Sequence, residues 1–534
     1  MRFAAILALL TSAGLPGQTY DLILRGGRIV DGTGSPWYIA DVAIQGDAIA
    51  VVGPLTNASA KRVLNVKGLT VAPGFIDIHT HSRRGIEANP TAENYVRQGV
   101  TTLIEGNDGG SPLPIGAFLD KLPRTSVNFG TFVGQGSIRQ AVTGLENRKA
   151  TIEEILKMKD LARQAMRDGA LGMSTGLFYV PGNFTPTEEV IELAKAVASM
   201  GGMHISHMRD EAAAVLDSVR EIVRIGEEGG LPTQVTHHKI IGSPNWGRSV
   251  DTLRLIDEAR ARGVDVSLDQ YPYTASSTGT AALLPQWSQA GGQKQLVARL
   301  HEPATRARIK AYVVENIKIN RGGGDPKNVF MANCSWDHSL DGKHLAQITD
   351  ERGRTPSVEN AAETALEIQE KGGCAAVYHS MGEEDLERIL RYPATMIGSD
   401  GEIPEFGKGA PHPRSYGTFA RVLGRYVRER KTLTLEDAIR RMTALPSARL
   451  RLLDRGTLRP GMRADIAVFD SAAVADKATF QKPHQYAEGF RHVIVNGTPV
   501  LLDGKITAER PGQVLRSSNA NSRIVRPGIV RSRE

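Results

Sequence analysis

Eight short apolar segments alternate with stretches of helical periodicity, and this alternation constrains the fold more than any other feature of the chain. Amphipathic patterns between the segments, such as residues 151–168 and 187–200, indicate helices. The eight predicted strands cover residues 72–81, 101–106, 127–133, 171–177, 203–208, 233–238, 264–271 and 394–400. Eight consecutive strand–helix units predict an α/β fold with a closed parallel (β/α)8 barrel of the TIM type.

Two β-rich segments flank the predicted barrel. Residues 18–72 and 455–510 contain short strands separated by glycine-containing turns. This pattern of short strands and turns at both ends predicts one small β-sandwich domain assembled from the two segments, with the catalytic barrel at residues 73–454 between them. The interval 273–394 is too long for one connection, so we expect an inserted subdomain after the seventh strand, at about residues 280–350.

The two ends of the chain carry signals of their own. Residues 1–17 combine Arg2, an apolar run at residues 3–10 and a following stretch of small or turn-forming residues, which is typical of a secretory signal peptide. We therefore expect a secreted or periplasmic enzyme, with a buried first helix as the alternative. Residues 511–534 hold five arginines and one glutamate and are predicted to form a basic flexible tail.

Composition excludes several classes of protein. Hydrophobic residues make up 41% and charged residues 23%, which rules out wholesale disorder. Most of the formal charge of +7 lies in the two ends, so the body offers no basic surface for nucleic acid. No later segment has the roughly 18 apolar residues of a membrane span. Cys334 and Cys374 could pair outside the cytoplasm, but nothing in the sequence brings them together, and buried free thiols are expected.

Ionisable side chains gather at the carboxyl ends of four predicted strands, where barrels of this type carry their reacting groups. The first strand ends in His79 and His81, which point to the same side because they are two residues apart. The fifth strand ends in His207, the sixth in His237 and the eighth in Asp400. Imidazoles and a carboxylate that converge on one opening predict a site for zinc or a similar divalent ion.

Two further histidines, His204 and His238, lie near these strand ends, and a third, His379, lies in the interval before the eighth strand. For His204, a role in the core or in support of the metal ligands is as well favoured as a role as a ligand. His238 points to the opposite side of its strand from His237, so only one of the two faces the metal, and we favour His237. His379 is interpreted as structural.

These residues lie in motifs that together resemble the D-aminoacylase (N-acyl-D-amino-acid deacylase) branch of the amidohydrolase superfamily. The motifs are PGFIDIHTH at 73–81, SHMRDE at 206–211, THHK at 236–239, YPYTA at 271–275, GSDG at 398–401 and PHPRSYGTF at 411–419. The HxH element is common to the superfamily, whereas HHK, YPYTA and HPR in combination are specific to this branch. The resemblance spans about residues 20–501 and implies a metal-bearing (β/α)8 barrel, a small β-domain from both ends and an insert after strand seven.

The resemblance also implies which histidines bind metal. His207 and His237 resemble the ligands of one tightly held zinc ion. His79 and His81 resemble the pair for a possible second, weaker position. Asp400 resembles the catalytic acid at the end of strand eight and is expected to contact the metal as well.

One ligand position departs from the family pattern. The family commonly has a cysteine in a GNCG stretch after strand two, and this chain has Asp108 in GNDG at 106–109. A carboxylate oxygen is an acceptable zinc donor, although it is harder than a thiolate. We therefore expect Asp108 to bind, with Glu105 as the reserve candidate.

The reaction implied by the resemblance is metal-dependent hydrolysis of N-acyl-D-amino acids to a carboxylate and a free D-amino acid. We expect hydroxide formed on the metal to attack the amide carbonyl, while Asp400 takes the proton and passes it to the leaving amine. The partner is thus a small N-acyl amino acid or dipeptide-like molecule. The residues that the resemblance assigns to its α-carboxylate are Tyr179, Lys239, Tyr271, Ser277 and Arg414.

Several alternatives stay open. A dipeptidase or another linear- or cyclic-amide hydrolase is the nearest, although the fourth strand (171–177) lacks the lysine that cyclic-amide enzymes carry there. An inert binding protein that keeps the barrel is less favoured. A serine hydrolase is also less favoured, because the GxSxG pattern around Ser174 is not followed directly by a predicted helix.

Overall fold

A computed structural model describes residues 19–517 of the 534-residue chain. The predicted signal peptide lies outside the described residues. The described chain opens with five strands: β1 Thr19–Ile29, β2 Tyr38–Gln45, β3 Ala48–Gly53, β4 Ser59–Asn65 and β5 Thr70–Pro73.

Strands and helices then alternate through the first seven barrel units. The strands are β6 Phe75–Asp77, β7 Val100–Glu105, β8 Asn128–Thr131, β9 Val133–Gly134, β10 Gly172–Gly176, β11 Met203–His207, β12 Thr233–Val235 and β13 Val266–Gln270. The helices are α1 Glu93–Val96, α2 Ile115–Lys121, α3 Gln135–Thr143, α4 Ile152–Arg167, α5 Thr187–Ala198, α6 Val215–Gly229 and α7 Ser249–Ala261. Local sequence fixes some of these boundaries; α4 begins with a capping box in which Thr151 and Glu154 satisfy each other's backbone N–H.

The insert after the seventh strand has its own small sheet and core. Its elements are β14 Ala275–Gly279, α8 Gln293–His301, α9 Pro303–Asn316, β15 Val329–Asn333, α10 Leu345–Glu351, α11 Val358–Glu370 and β16 Ala375–His379. The strands form an antiparallel sheet in the order β14-β16-β15. The insert thus reaches from residue 275 to residue 379, beyond the 280–350 expected from the sequence, because its last strand pairs between the other two.

The two cysteines of the insert form a disulfide. Cys334 follows β15 and Cys374 precedes β16, so the bridge joins the ends of two paired strands. The expectation of free thiols was therefore wrong. Residues 40 apart in sequence are brought together by strand pairing, which the sequence did not reveal.

The chain returns to the barrel and then to the first sheet. The remaining elements are α12 Glu383–Arg391, β17 Thr395–Ile397, α13 Arg414–Arg421 with a π-helical continuation Val422–Glu429, α14 Leu435–Met442, α15 Ala444–Arg449, β18 Ile466–Phe469, β19 Phe490–Val495, β20 Thr498–Leu502 and β21 Lys505–Ile506.

The barrel closes from two parallel sheets, β6-β7-β8 and β9-β10-β11-β12-β13-β17. Strands β8 and β9 are separated only by Phe132, so they count as one interrupted barrel strand. A parallel bridge between Thr80 and Gly401 joins the chain after β6 to the chain after β17 and completes the ring. All eight predicted strands are present, and the predicted (β/α)8 fold class is confirmed.

Both ends of the chain contribute to one nine-stranded sheet, as predicted. Strand β18 pairs antiparallel with β5, which joins β1–β5 to β18–β21. Buried aliphatic side chains from both segments, including Leu24, Val42, Val71, Ile466 and Ile494, form one core cluster. Their burial stabilises the sheet by about 25 cal/mol per Å² of apolar surface.

The first residues of the predicted basic tail pack against the barrel. The N–H of Leu515 donates to Phe129 of β8 (2.8 Å), and Leu515 joins the apolar layer around Ile76 and Met203. Residues 511–517 of the expected tail therefore pack against the barrel, and residues 518–534 lie outside the described part. Within residues 19–517 no helix has the length and apolarity needed to cross a membrane.

Candidate metal centre

The histidines after β6 meet two carboxylates from other strand ends. His81 Nε2 lies 3.0 Å from Asp400 Oδ1 and 3.4 Å from Asp108 Oδ2. His79 Nε2 lies 3.6 Å and 3.5 Å from the same two side chains. The potential ligand atoms of these four residues all lie within 4.8 Å of one another, so they can contact a single cation.

Asp108 belongs to a second group as well. His237 Nε2 lies 3.4 Å from Asp108 Oδ1, and His207 Nδ1 lies 3.8 Å from Asp108 Oδ2. The potential ligand atoms of these three residues also lie within 4.8 Å of one another. Two adjacent groups share Asp108, and each could hold a cation.

Three of these residues have unusual backbone conformations. Asp108, His237 and Asp400 have φ of 54°, 33° and 52°, in the left-handed region that non-glycine residues seldom adopt. Such conformations cost about 1–3 kcal/mol each and persist where the surroundings impose them. Each follows the end of a barrel strand, so the sharp turn aims the side chain into the opening of the barrel.

The donor set fits a divalent cation. His79 Nε2, His207 Nδ1 and Asp108 Oδ1 are buried and have no hydrogen-bond partner in residues 19–517. Buried polar atoms are seldom left unpaired, because each costs about 1–3 kcal/mol. Imidazole nitrogens and carboxylate oxygens are ligands of zinc and similar metals, and cations in the two groups would together satisfy these atoms.

A second layer of carboxylates holds the histidines. Asp269 Oδ1 lies 3.3 Å from His79 Nδ1 and accepts the His237 backbone N–H at 2.9 Å. Glu211 Oε1 lies 3.3 Å from His237 Nδ1 and pairs with Lys239. Partners of this kind orient metal-binding imidazoles.

Sequence reasoning assigned no role to either carboxylate. Asp269 lies within the predicted seventh strand, and Glu211 lies four residues after His207 in the SHMRDE motif. The place of Glu211 in this motif was a signal that could have indicated its role, whereas no local pattern marks Asp269 as a partner of the histidines.

Burial and neighbouring charges act in opposite directions on the pKa values of the residues in the centre. Burial, the largest single effect, would raise the pKa of Asp400, but Arg414, His79, His81 and His237 together outweigh it and hold this pKa well below the usual range. The same competition, with His237 and His79 as the cations, lowers the pKa of Asp108. Burial lowers the pKa of His207, which keeps the imidazole neutral as metal binding requires. His81 differs: burial opposes its protonation, but Asp108 and Asp400 raise its pKa to about 9.

Glu105, the reserve candidate, lies outside both groups. Its Oε2 accepts the Arg83 backbone N–H at 2.9 Å, and its Oε1 lies 3.7 Å from Arg83 Nε. Ser174 is structural too, because its hydroxyl donates to the Gly106 carbonyl and accepts the Gly109 N–H. Within residues 19–517, both hydrogen bonds of this hydroxyl are thus to backbone groups.

The other histidines of the strand ends make core contacts. His204 lies between the hydroxyls of Thr175 and Thr233, at 2.9 and 2.8 Å. His238 Nε2 lies 2.8 Å from the Thr252 hydroxyl. His379 packs against the ring of Phe480. The structure thus brings His237 into the centre and keeps His204, His238 and His379 out of both groups.

A cavity of about 980 Å³ opens above the centre. Three of the five residues expected to bind the substrate carboxylate line this cavity, and two do not. Tyr179, Ser277 and Arg414 line it together with His81, Asp108 and Asp400. Arg414 is buried, its Nη1 lies 2.7 Å from Asp400 Oδ2, and its Nη2 donates to the Ser277 carbonyl at 3.3 Å.

Lys239 and Tyr271 lie behind this wall. Lys239 Nζ bonds to His237 Nδ1 at 2.7 Å and to Glu211, so the ammonium belongs to the second layer of the centre. The Tyr271 ring lies between the cations of Lys239 and Arg414, at 5.7 and 4.9 Å. Neither side chain lines the cavity.

Comparison with known sequences decides the family. The amidohydrolase family profile matches residues 62–501. The chain belongs to the amidohydrolase family. Its resemblance to the D-aminoacylase branch is confirmed: this amidohydrolase is 38% identical to a D-aminoacylase of Alcaligenes xylosoxydans xylosoxydans, over 94% of this chain and 99% of the relative. It is 36% identical to an N-acyl-D-glutamate deacylase of the same organism, over 93% and 97%.

A solved structure agrees with this placement. The amidohydrolase superposes with a TM-score of 0.80 and 34% identity on the N-acyl-D-glutamate deacylase of Bordetella bronchiseptica, over 94% of this chain and 100% of that one. That enzyme was solved with zinc and a phosphonate inhibitor that mimics the tetrahedral intermediate of its reaction. The chain studied here is therefore a metal-binding hydrolase.

Proposed function

We propose that this amidohydrolase cleaves the amide bond of N-acyl-D-amino acids and releases a carboxylate and a free D-amino acid. One observation carries the proposal: Asp400 Oδ1 faces the histidines of the metal centre, while Asp400 Oδ2 contacts Arg414 on the cavity wall. The carboxylate thus lies between the place for a cation and the place for an anionic substrate.

Zinc is the cation we propose, with His207, His237 and Asp108 as one ligand set. His79, His81 and Asp400, with Asp108 shared, form the second. When bound, a divalent cation polarises the scissile carbonyl and lowers the pKa of water from 15.7 to about 7. The zinc in the related deacylase supports the choice of metal.

Asp400 is the proposed proton carrier. Its Oδ1 lies beside His81 and its Oδ2 contacts Arg414 on the cavity wall. We assign it to accept a proton from the attacking water and to return that proton to the amine nitrogen as the C–N bond breaks. A protonated amine leaves far more readily than its anion, and general acid–base catalysis of this kind contributes about 10²–10⁴-fold.

Arg414 is the proposed anchor of the α-carboxylate. A guanidinium can bind a carboxylate through two parallel hydrogen bonds, and Arg414 lies on the cavity wall beside Ser277 and near Tyr179. Lys239 and Tyr271 contribute by positioning, since Lys239 bonds to His237 and Tyr271 stacks on Arg414.

The proposal is tested with purified protein and N-acetyl-D- and N-acetyl-L-amino acids. Zinc-loaded protein should hydrolyse the D-series, a chelator should abolish turnover, and zinc should restore it. Turnover that survives complete removal of the metal would contradict the proposal. Preferential cleavage of L-substrates, dipeptides or cyclic amides would replace it with one of the alternatives.

We also propose that the enzyme is exported. The signal-peptide pattern at residues 1–17 supports this localisation, and so does the Cys334–Cys374 disulfide, because disulfides persist in oxidising compartments. Sequencing the amino terminus of protein recovered from the periplasm or medium is the test. An intact Met1 on protein found only in the cytoplasm would contradict it.

A further inference from the structure

We propose that His412 is a positioning residue for substrate binding: it holds Arg414, the proposed anchor of the α-carboxylate, in place and connects that anchor to the insert. This inference rests on the proposed function and deepens it, because it names a residue on which binding of the α-carboxylate depends. His412 lies two residues before Arg414, in the PHPRSYGTF motif, and both line the cavity above the metal centre.

Both ring nitrogens of His412 have hydrogen-bond partners, although the side chain is buried. The backbone N–H of Arg414 donates to His412 Nδ1 at 3.0 Å, and His412 Nε2 lies 3.0 Å from the carbonyl oxygen of Ala275. Burial and the Arg414 cation hold the pKa of His412 well below its usual range, so the ring is neutral. Because Nδ1 accepts, the single ring proton lies on Nε2, where it donates to the Ala275 carbonyl.

The carbonyl that His412 binds belongs to an edge strand of the insert. Strand β14 lies at one edge of the sheet β14-β16-β15, and the carbonyls of Ala275 and Ser277, two residues apart, point to the same side of the strand. His412 donates to the first, and Arg414 Nη2 donates to the second at 3.3 Å. Buried backbone groups need partners, and an edge strand has none from a neighbouring strand. The two side chains supply them, so the anchor and the insert are held in a fixed register.

Aromatic rings enclose the imidazole and fix its orientation. The rings of Tyr273 and Phe480 meet the His412 ring edge to face, with centroids 5.3 and 5.0 Å away. His412 itself is 3% exposed. A ring packed in this way keeps both hydrogen bonds at once, and the backbone at Arg414 is therefore held from the side of the insert.

The consequence concerns the direction of the Arg414 guanidinium. Its Nη1 contacts Asp400 and its Nη2 contacts Ser277, so a substrate carboxylate meets it in one definite place. Arg414 is also the first residue of α13, and removal of the imidazole leaves its N–H without an acceptor. A misplacement of about 1 Å can cost about 100-fold in rate. We expect loss of the imidazole to weaken substrate binding about tenfold.

Three substitutions of His412 separate its two hydrogen bonds. His412→Leu removes both. His412→Asn places an amide oxygen near the position of Nδ1, where it can accept the Arg414 N–H, and His412→Gln reaches the position of Nε2, where it can donate to Ala275. The measurements are kcat and KM of the zinc-loaded full chain with the N-acetyl-D-amino acid that the wild type cleaves fastest. His412→Leu should raise KM about tenfold, with a smaller change in kcat. His412→Asn should recover most of the loss, and His412→Gln, the matched control, should not.

A double-mutant cycle with Arg414→Met distinguishes positioning from general damage to the fold. If His412 acts through Arg414, His412→Leu should change kcat/KM less than about threefold in the Arg414→Met background, because the group that it positions is already absent. Damage to the fold would instead lower kcat/KM by the same factor in both backgrounds. Thermal unfolding and zinc content of each variant complete the comparison.

The possible outcomes decide the inference separately from the proposed function. Equal losses in the two backgrounds, or a His412→Leu enzyme with the wild-type KM, would overturn the inference while the deacylase function stood. If His412→Leu does not fold, His412→Asn and His412→Gln carry the test: the lower KM should belong to His412→Asn, and equal values or the reverse order would overturn the role of the bond to Arg414. A wild-type enzyme that hydrolyses no N-acetyl-D-amino acid would overturn the proposed function and this inference with it.

Discussion

Arg414 Nη1 lies 2.7 Å from Asp400 Oδ2, and both side chains are buried. Burial, the largest single effect, would raise the pKa of Asp400, but Arg414, His79, His81 and His237 together lower it below its usual range, and Arg414 contributes most among them. The proposed substrate anchor therefore also sets the basicity of the proposed proton carrier. The same contact has consequences for binding and for pH dependence.

Replacement of Arg414 should move the acid limb of the pH–rate profile. A carboxylate with a depressed pKa stays ionised as pH falls, and removal of the neighbouring cation raises that pKa, so Arg414→Met should lose activity at a higher pH than the wild type. Arg414→Met should also lose the hydrogen bond between the guanidinium and the substrate carboxylate. A hydrogen bond to a charged group contributes about 1.5–3 kcal/mol, so kcat/KM should fall by about 10- to 100-fold.

The control for this prediction keeps the charge. Arg414→Lys should retain most of the acid limb but lose the two-point contact with the substrate carboxylate. The measurement is kcat/KM against pH for both variants with one N-acetyl-D-amino acid. An acid limb that is identical in the wild type and in Arg414→Met would contradict the coupling between the two residues.

Asp400→Asn should separate proton transfer from metal binding. The amide keeps the size of the side chain but cannot accept and return a proton, so turnover should fall by about 10²–10⁴-fold. The ligand set of His207, His237 and Asp108 does not include Asp400, so at least one metal ion per chain should remain. Steady-state kinetics and metal analysis of the same preparation decide the matter, and near-normal turnover would remove Asp400 from its role.

The barrel and the metal-binding strand ends were accessible from sequence because both depend on local pattern. Strand periodicity located all eight barrel strands, and the first histidine pair follows directly from its strand. His237 is a different case. Strand β12 ends at Val235, and His237 is aimed by a left-handed turn rather than by strand alternation. The structure places His237 rather than His238 in a candidate ligand group, and the cause lies in the turn.

Features that depend on contacts between distant segments were not accessible in the same way. Asp269 supports His79 and His237 from a different strand, which no local pattern records. The disulfide requires β15 and β16 to pair, and the sequence gives no register for that pairing. The packing of Leu515 against β8 is likewise a tertiary contact within a segment whose composition indicated only a tail.

Asp108 should be essential for metal retention, because it belongs to both ligand groups. Asp108→Ala should lose one or both metal ions after dialysis, and activity should fall with metal content. Glu105→Gln is the matched control: the side chain is a buried neighbour that accepts the Arg83 N–H, and the amide oxygen can still do so. Metal content measured on both variants distinguishes the two candidates. Loss of metal from Glu105→Gln but not from Asp108→Ala would reverse the assignment.

The disulfide should stabilise the insert, and through it the cavity wall. Cys334 and Cys374 are 40 residues apart in sequence, and closing a loop of this length removes unfolded-state entropy worth about 4 kcal/mol in the chain-entropy model. Cys374 also lines the cavity beside Gly373 and Ala375. The double variant Cys334→Ser/Cys374→Ser should therefore unfold at a lower temperature and expose the insert to protease before the barrel.

The double variant also separates stability from chemistry. Neither cysteine contacts the metal centre, so at a temperature where the variant is folded, zinc content should match the wild type. KM should change more than kcat, because Ser277 of the insert lines the proposed substrate cavity, whereas the proposed proton carrier Asp400 belongs to the barrel. Thermal unfolding, limited proteolysis and kinetics at one temperature provide the measurements, with wild type treated with reductant as a second comparison. An unfolding temperature equal to that of the oxidised wild type would show that the bridge contributes nothing to the stability of the insert.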